Sequence, residues 1–312
     1  MRLVILSLLF LISCTQTSPP SHKSNRSGIV IAHRGASSFL PEHTLEAYAY
    51  AHAKGVDFIE ADVVLTKDNV PICLHDIYLE PTTNVEEVFP NRKRKDGHWY
   101  AIDFTLEEIK RLSVHERTYK NVKVFPNRFP LMKSAFKVPT FGEYIELIQG
   151  LNETTNTSIG IYPEIKKPEF HEKNGKNSKR IIYQLIKEYG YENSPNLIYI
   201  QSFHPGSLQF IKSLKSNIPL IQLIGENDWG DSSTDFDQLK TTIGLKNINE
   251  YASGIGIWLK HIDKDNTIVS RAKNLGLLVH AYTHRPESSQ KTVQFYFSEI
   301  GLDGVFSDIP NH

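Results

Sequence analysis

The sequence predicts a closed (β/α)8 TIM barrel with a long insertion after the second strand region. Three observations lead there. Short apolar runs alternate with amphipathic helical stretches from residue 28 onward, and repeated strand–helix units imply parallel strands joined by helical crossovers. The strand count approaches eight, which favours a closed barrel over an open doubly wound sheet. No glycine-rich dinucleotide fingerprint follows the first strand, a second argument against the open sheet.

Taken in order, residues 28–33 read as a buried strand. A helix is expected over 44–55, with Thr44 placed to cap it and Gly55 to end it. Residues 57–66 read as a second strand and 70–75 as a further β segment. The gap from Asp76 to Gly160 is too long for a strand–helix loop. It holds two capping-box sequences, Thr105-Leu106-Glu107-Glu108 and Thr140-Phe141-Gly142-Glu143. The second is expected to start a barrel helix reaching about Asn152. The remainder, roughly 77–138, reads as an excursion packed over the barrel mouth, carrying Trp99, Tyr100, Tyr119 and Arg128. Further strands are expected at 158–166, 196–203, 218–224, 254–261, 277–284 and 304–307. Helices are expected at 178–189, 205–214, 266–275 and 288–300.

The N-terminus stands apart. After Met1-Arg2 an apolar run reaches Ile12, too short to span a bilayer but suited to a signal-peptide core. It ends in Leu11-Ile12-Ser13-Cys14, which resembles the bacterial lipobox. Residues 1–13 are thus read as a signal peptide, Cys14 as the lipidated residue, 14–27 as a flexible tether and 28–312 as one catalytic domain. The expected place is the bacterial cell envelope, facing the periplasm, with a membrane partner through the lipid. Thr15 stands where an inner-membrane retention aspartate would, which favours the outer membrane. Cys73 is the only other cysteine, so an internal disulfide is not expected, and its apolar surroundings read as core. The 35 basic and 35 acidic side chains balance, so nothing draws the chain to polyanions and no nucleic-acid partner is expected. The dense basic run at 91–95 reads as a solvated loop.

Four segments place polar residues where buried strands end, the position that carries the active site in such barrels. They are His33-Arg34-Gly35-Ala36 with Pro41-Glu42-His43-Thr44 close behind, Glu60-Ala61-Asp62, Leu74-His75-Asp76, and Pro163-Glu164-Ile165-Lys166. Residues i and i+2 on a strand share a face, so Glu60 and Asp62 stand side by side, and Glu164 can join them. Bare carboxylates crowded in a barrel mouth repel and desolvate badly, so a cation is expected between them. Oxygen donors favour Ca2+ or Mg2+ over zinc. A cation, an Arg and a Lys can hold a phosphodiester while two imidazoles move protons.

These motifs, with Thr66-Lys67-Asp68, occur in the order and approximate spacing of glycerophosphodiester phosphodiesterases, and the chain resembles that family from about Ile29 to Asp308. The long insertion after the second histidine is similar to the periplasmic, calcium-dependent branch. The resemblance implies His33 and His75 as the acid/base pair and Glu60, Asp62 and Glu164 as ligands of Ca2+, with Mg2+ the lesser candidate. It implies Arg34 and Lys166 at the phosphate and Glu42 at the site. It further implies release of sn-glycerol 3-phosphate from small diesters such as glycerophosphocholine or glycerophosphoethanolamine, the neighbouring glycerol hydroxyl attacking phosphorus to give a cyclic phosphate that water opens. Trp258 with Lys260, Gln201 with Phe203, and Tyr282 with His284 share strand-end faces and could flank the glycerol or the alcohol, or simply pack the rim. Two other readings are a phospholipase-type phosphodiesterase acting on intact lipid, which needs a more apolar mouth than 77–138 offers, and a surface adhesion or ligand-binding lipoprotein.

Overall fold

The computed structural model describes residues 28–131 and 133–310. Its strands are β1 (Ile29–Ala32), β2 (Phe58–Leu65), β3 (Pro71–Cys73), β4 (Thr118–Tyr119), β5 (Val122–Lys123), β6 (Gly160–Ile165), β7 (Ile200–Ser202), β8 (Leu220–Ile224), β9 (Gly254–Trp258), β10 (Leu278–His284) and β11 (Gly304–Ser307). β4 and β5 pair only with each other, and β3 lies antiparallel to β2. The other eight run parallel in the order β1-β11-β10-β9-β8-β7-β6-β2, and β2 pairs back onto β1 with Ile31 opposite Phe58. The sheet is therefore a closed eight-stranded barrel, as the strand–helix alternation predicts.

Strand alternation sorts the side chains into two layers. Ile31, Phe58, Tyr162, Ile221 and Phe306 fill the lower barrel interior. Their outward neighbours, among them Val30, Ala32, Ile59, Ala61 and Ile161, pack under the helices in the largest apolar cluster. The expected caps are present. Thr44 accepts from the Ala47 amide at the head of helix Leu45–Ala53, and Thr105 and Thr140 both close reciprocal capping boxes.

Three expectations need correction. The strand expected over 254–261 stops at Trp258, and helix Leu259–Lys264 begins there. Leu259 and Ile262, three apart, bury one helical face, a spacing the strand reading overlooked. Helices Phe236–Lys240 and Thr242–Asn249 fill the stretch after β8, where none was anticipated; Asp235 and Thr241 cap them. The helix expected over 288–300 is confined to Val293–Phe295 and a wider turn over Tyr296–Ile300.

The insertion has its own apolar cluster, built from Leu79, Val85, Trp99, Phe104, Ile109, Val114 and Phe136 against Val64 and Ile72. Val64 shares the strand face of Glu60 and Asp62, so this cluster rests on the part of the β2–β3 ribbon that rises past the rim. Trp99 is buried there, donating from Nε1 to the Phe89 carbonyl at 2.8 Å, whereas Tyr119 is exposed. The basic run is surface-paired: Arg92 to Glu108 and Arg94 to both oxygens of Asp103.

Candidate active site

Four barrel strands lead from an inward apolar position to a charged or histidine side chain two residues further on. Ile31 leads to His33, Phe58 to Glu60 and Asp62, Tyr162 to Glu164 and Lys166, and Phe306 to Asp308. At the turn after β1, Arg34 and Gly35 both have positive φ, 58° and 81°. The turn aims the Arg34 amide at Glu60 Oε2, 2.6 Å away. A Cβ at Gly35 would sit 2.9 Å from the Ala47 backbone, so only glycine fits there.

A cavity of about 340 Å3 opens at this end of the barrel. His33, Arg34, Glu60, Asp62, His75, Glu164, Lys166 and Trp258, all singled out from sequence, line it. Glu42 does not. It lies behind Arg34, accepting from Arg34 Nη1 at 3.0 Å and from Arg117 Nη2 and Nε at 2.6 and 3.0 Å. Cys14 lies outside the described residues.

One ligand oxygen from each of Glu60, Asp62 and Glu164 falls within 4.8 Å of the other two, and all three residues are buried. Burial first, then mutual repulsion with Asp62, pushes the carboxyls of Glu60 and Glu164 well up. Against the same burial, Lys166, His75 and His43 hold Asp62 well below the usual carboxylate range. Lys166 Nζ is 3.0 Å from Glu164 and 3.8 Å from Asp62, and these carboxylates outweigh burial to raise its pKa. A divalent cation would offset the repulsion among these carboxylates, and an all-oxygen set suits a hard ion. The residues fit such an ion.

Both imidazoles are shifted toward the neutral form. Burial, with Arg34 next, lowers His33 to about 3 and His75 to about 4. His33 Nδ1 is 2.6 Å from Asp308 Oδ1, and His75 Nδ1 is 3.0 Å from Asp76 Oδ1. Burial opposes ionisation of both aspartates, but their partners hold them ionised: His33, Arg285 and Arg128 for Asp308, and Arg117 and His75 for Asp76. A carboxylate only accepts, so each Nδ1 carries the proton and each Nε2 keeps its lone pair.

The remaining wall is aromatic. Trp229 and Trp258 meet edge to face at 5.0 Å, and Phe203 and Tyr282 at 6.0 Å. Arg34 Nε, although buried 3.5 Å from Asp62 Oδ2, makes no hydrogen bond within the protein, and neither does Gln201 Oε1. A pocket that holds Arg34 and Lys166, an unpartnered Nε–H donor and an aromatic wall is suited to an anion with a small organic substituent.

The sequence profile of the Glycerophosphoryl diester phosphodiesterase family matches residues 33–312. The chain belongs to this family. It is thus an enzyme, a phosphoric diester hydrolase. A glycerophosphodiester phosphodiesterase of Haemophilus influenzae is 36% identical, covering all of this chain and 97% of that protein. One from Treponema pallidum is 34% identical over 91% of this chain and 90% of its own length. Among solved structures, a phosphodiesterase from Oleispira antarctica in complex with the product sn-glycerol-3-phosphate superposes with a TM-score of 0.64 at 24% identity, covering 90% of this chain and 93% of that one. That likeness shows that the barrel is shared across the family.

Several site residues escaped the sequence reading. His43 had no assigned role; it bonds Asp62 Oδ2 at 2.9 Å and Tyr48 at 2.8 Å and so orients a triad carboxylate. Asp308 was the end of the resemblance and nothing more, although its place two residues past Phe306 is the signal that marked His33. Arg285 lines the cavity from just past the end of β10, and Trp229 and Asp231 line it from the short 3-10 helix after β8 and the turn that follows.

Proposed function

We propose that this protein hydrolyses small glycerophosphodiesters, such as glycerophosphocholine or glycerophosphoethanolamine, to an alcohol and sn-glycerol 3-phosphate, using a divalent cation and two histidines. Ca2+ is the proposed ion ahead of Mg2+, and the proposed lineage is the periplasmic, calcium-dependent branch. The observation that carries this reading is the convergence, in one cavity, of three buried carboxylates within 4.8 Å and two imidazoles whose Nδ1 atoms are held by aspartates. The product-bound Oleispira structure and the names of the Haemophilus and Treponema relatives support the substrate class.

Glu60, Asp62 and Glu164 would hold the cation. When bound, it supplies positive charge to the phosphate oxygens and lowers the pKa of a nearby hydroxyl. Arg34 and Lys166 bind the phosphate, and the free Nε–H of Arg34 is a donor available to it. One Nε2 takes the proton of the attacking hydroxyl, and the other imidazole gives a proton to the leaving alcohol. The latter must first be charged, and an anionic phosphate beside it raises its pKa toward that state. Trp258, with Trp229 and the Phe203–Tyr282 pair, flanks the glycerol or the alcohol.

Release of sn-glycerol 3-phosphate from glycerophosphocholine is the direct assay. Chelation should abolish it, and Ca2+ should restore it more fully than Mg2+. Replacing either histidine by Asn should cost roughly 10²–10⁴-fold in kcat. Release indifferent to chelator, or full activity without His33 or His75, would overturn the reading. The proposal extends to the N-terminus: a signal over 1–13, a lipidated Cys14, a tether over 14–27 and an outer-membrane, periplasm-facing enzyme whose catalytic domain spans 28–312. Palmitate labelling that persists in Cys14→Ala would refute the anchor.

A further inference from the structure

The insertion carries the β4–β5 hairpin. Its turn residues Lys120 and Asn121 both have positive φ, 50° and 61°, as a tight two-residue hairpin turn requires. Arg117 stands just before the hairpin and Arg128 just after it. The hairpin ties them together: the Val124 amide donates to the Arg117 carbonyl at 3.0 Å, and Lys123 Nζ donates to the Arg128 carbonyl at 2.8 Å.

From this one unit each arginine reaches a different histidine, and by the same arrangement. Arg117 Nη1 donates to Asp76 Oδ2 at 2.6 Å while its Nε and Nη2 clasp Glu42, and the other oxygen of Asp76 faces His75 Nδ1. Arg128 Nη2 donates to Asp308 Oδ2 at 2.5 Å while its Nε and Nη2 reach Glu287, and the other oxygen of Asp308 faces His33 Nδ1. Arg128 is buried, lies 3.6 Å over the Phe125 ring and donates to the Ser37 carbonyl. The cavity lining includes neither arginine.

We infer that the insertion is a positioning device for catalysis: Arg117 and Arg128 each fix, through Asp76 and Asp308, the ring orientation and tautomer of one histidine. The inference rests on the reading that His33 and His75 move the protons. An aspartate bonded only to an imidazole can rotate about its side chain and carry the ring with it. Each guanidinium sets its planar fork on Glu42 or Glu287 and from that fixed position donates one bond to the aspartate, holding its Oδ2 in place, and it stays charged at any pH the enzyme meets. The aspartate is thus braced on both sides. A lysine keeps the charge but offers no fork, so it cannot span Glu42 and Asp76, or Glu287 and Asp308, in one plane.

The test uses the full-length protein with saturating Ca2+ and glycerophosphocholine as substrate. Arg117→Lys and Arg128→Lys should each lower kcat about ten-fold or more, with KM changed less than about three-fold, as expected when a group acts only on the chemical step. In an Asp308→Asn background, Arg128→Lys should cost less than about two-fold further, because its path to His33 is already cut. Unchanged kcat in a folded lysine variant overturns the inference, and so does a rise in KM at constant kcat or full additivity with Asp308→Asn. A second measurement needs no variant: long-range 1H–15N spectra of histidine-labelled wild-type protein should show His33 and His75 protonated at Nδ1. Protonation at Nε2, or a mixture, overturns it even if the lysine variants fail to fold. If wild-type protein releases no sn-glycerol 3-phosphate, or His33→Asn is fully active, the functional reading has failed instead.

Discussion

The lower and upper halves of the barrel interior share strands and strand faces but are built from opposite chemistry. On β2 the inward face reads Phe58, Glu60, Asp62; on β6 it reads Tyr162, Glu164 and, just past the strand end, Lys166. One step of two residues, about 7 Å, carries the lining from fully buried aromatic rings to three crowded carboxylates. The lower layer gains free energy from burial. In the upper layer the same burial pushes Glu60 and Glu164 from their normal ionisation. Stability is thus concentrated below and reactivity above, with no change of scaffold between them.

Breaking each layer separately should separate the two properties. The largest effect is expected above: His75→Asn should lower kcat by roughly 10²–10⁴-fold and leave the unfolding midpoint near that of the wild type, since the side chain lies at the barrel mouth outside the apolar clusters. Below, Phe58→Ala should cost about 3–5 kcal/mol of stability and change kcat only several-fold when assayed well under the melting temperature. Steady-state kinetics and urea unfolding on the same preparations check both. A His75→Asn protein that melts far lower, or a Phe58→Ala protein that is folded but inactive, would erase the contrast.

How much of this was legible in the sequence divides along the same line. The barrel was legible because periodicity is local: each strand declares itself within a few residues. The triad and both histidines could be singled out because they stand at strand ends inside short motifs. The bracing around them was not. Arg128 and Asp308 are 180 residues apart and Arg117 and Glu42 are 75 apart, and nothing in either neighbourhood points to the other. Glu42 was expected at the site from the resemblance, but a motif position does not say which side of Arg34 the side chain occupies. The strand read over 254–261 overran because Trp258 and Lys260 alternate like a strand while Leu259 and Ile262 fit a helix, and only packing decides between the two.

A cation would act on the upper layer alone. If the upper layer is strained for want of a cation, Ca2+ at 100 times its Kd should stabilise the wild type by about 2.7 kcal/mol. Glu60→Gln should lose most of that gain. In chelator the same variant should be at least as stable as the wild type, because a carboxyl raised by burial and by Asp62 has been replaced by a neutral amide. Calorimetry with Ca2+ and with chelator measures both numbers. A Ca2+ shift that survives Glu60→Gln would mean the ion binds elsewhere.

The smallest effect concerns an imidazole buried among the lower rings. His280 is 1% exposed and its Nδ1 is 2.7 Å from the Tyr162 hydroxyl. Burial lowers its pKa from 6.5 to about 4. The unfolded chain therefore takes up a proton below pH 6.5 that the folded chain refuses until about pH 4. Stability from this group is fully present above pH 6.5 and is lost as the pH falls, by about 2 kcal/mol at pH 5, from 1.36 kcal/mol per unit. His280→Gln keeps a partner for Tyr162 but cannot titrate. Urea unfolding at pH 7 and pH 5 should show the wild type losing about 2 kcal/mol more than the variant. Equal losses would mean that His280 is protonated in the folded barrel, and the lower layer would then be less dry than its aromatic lining implies.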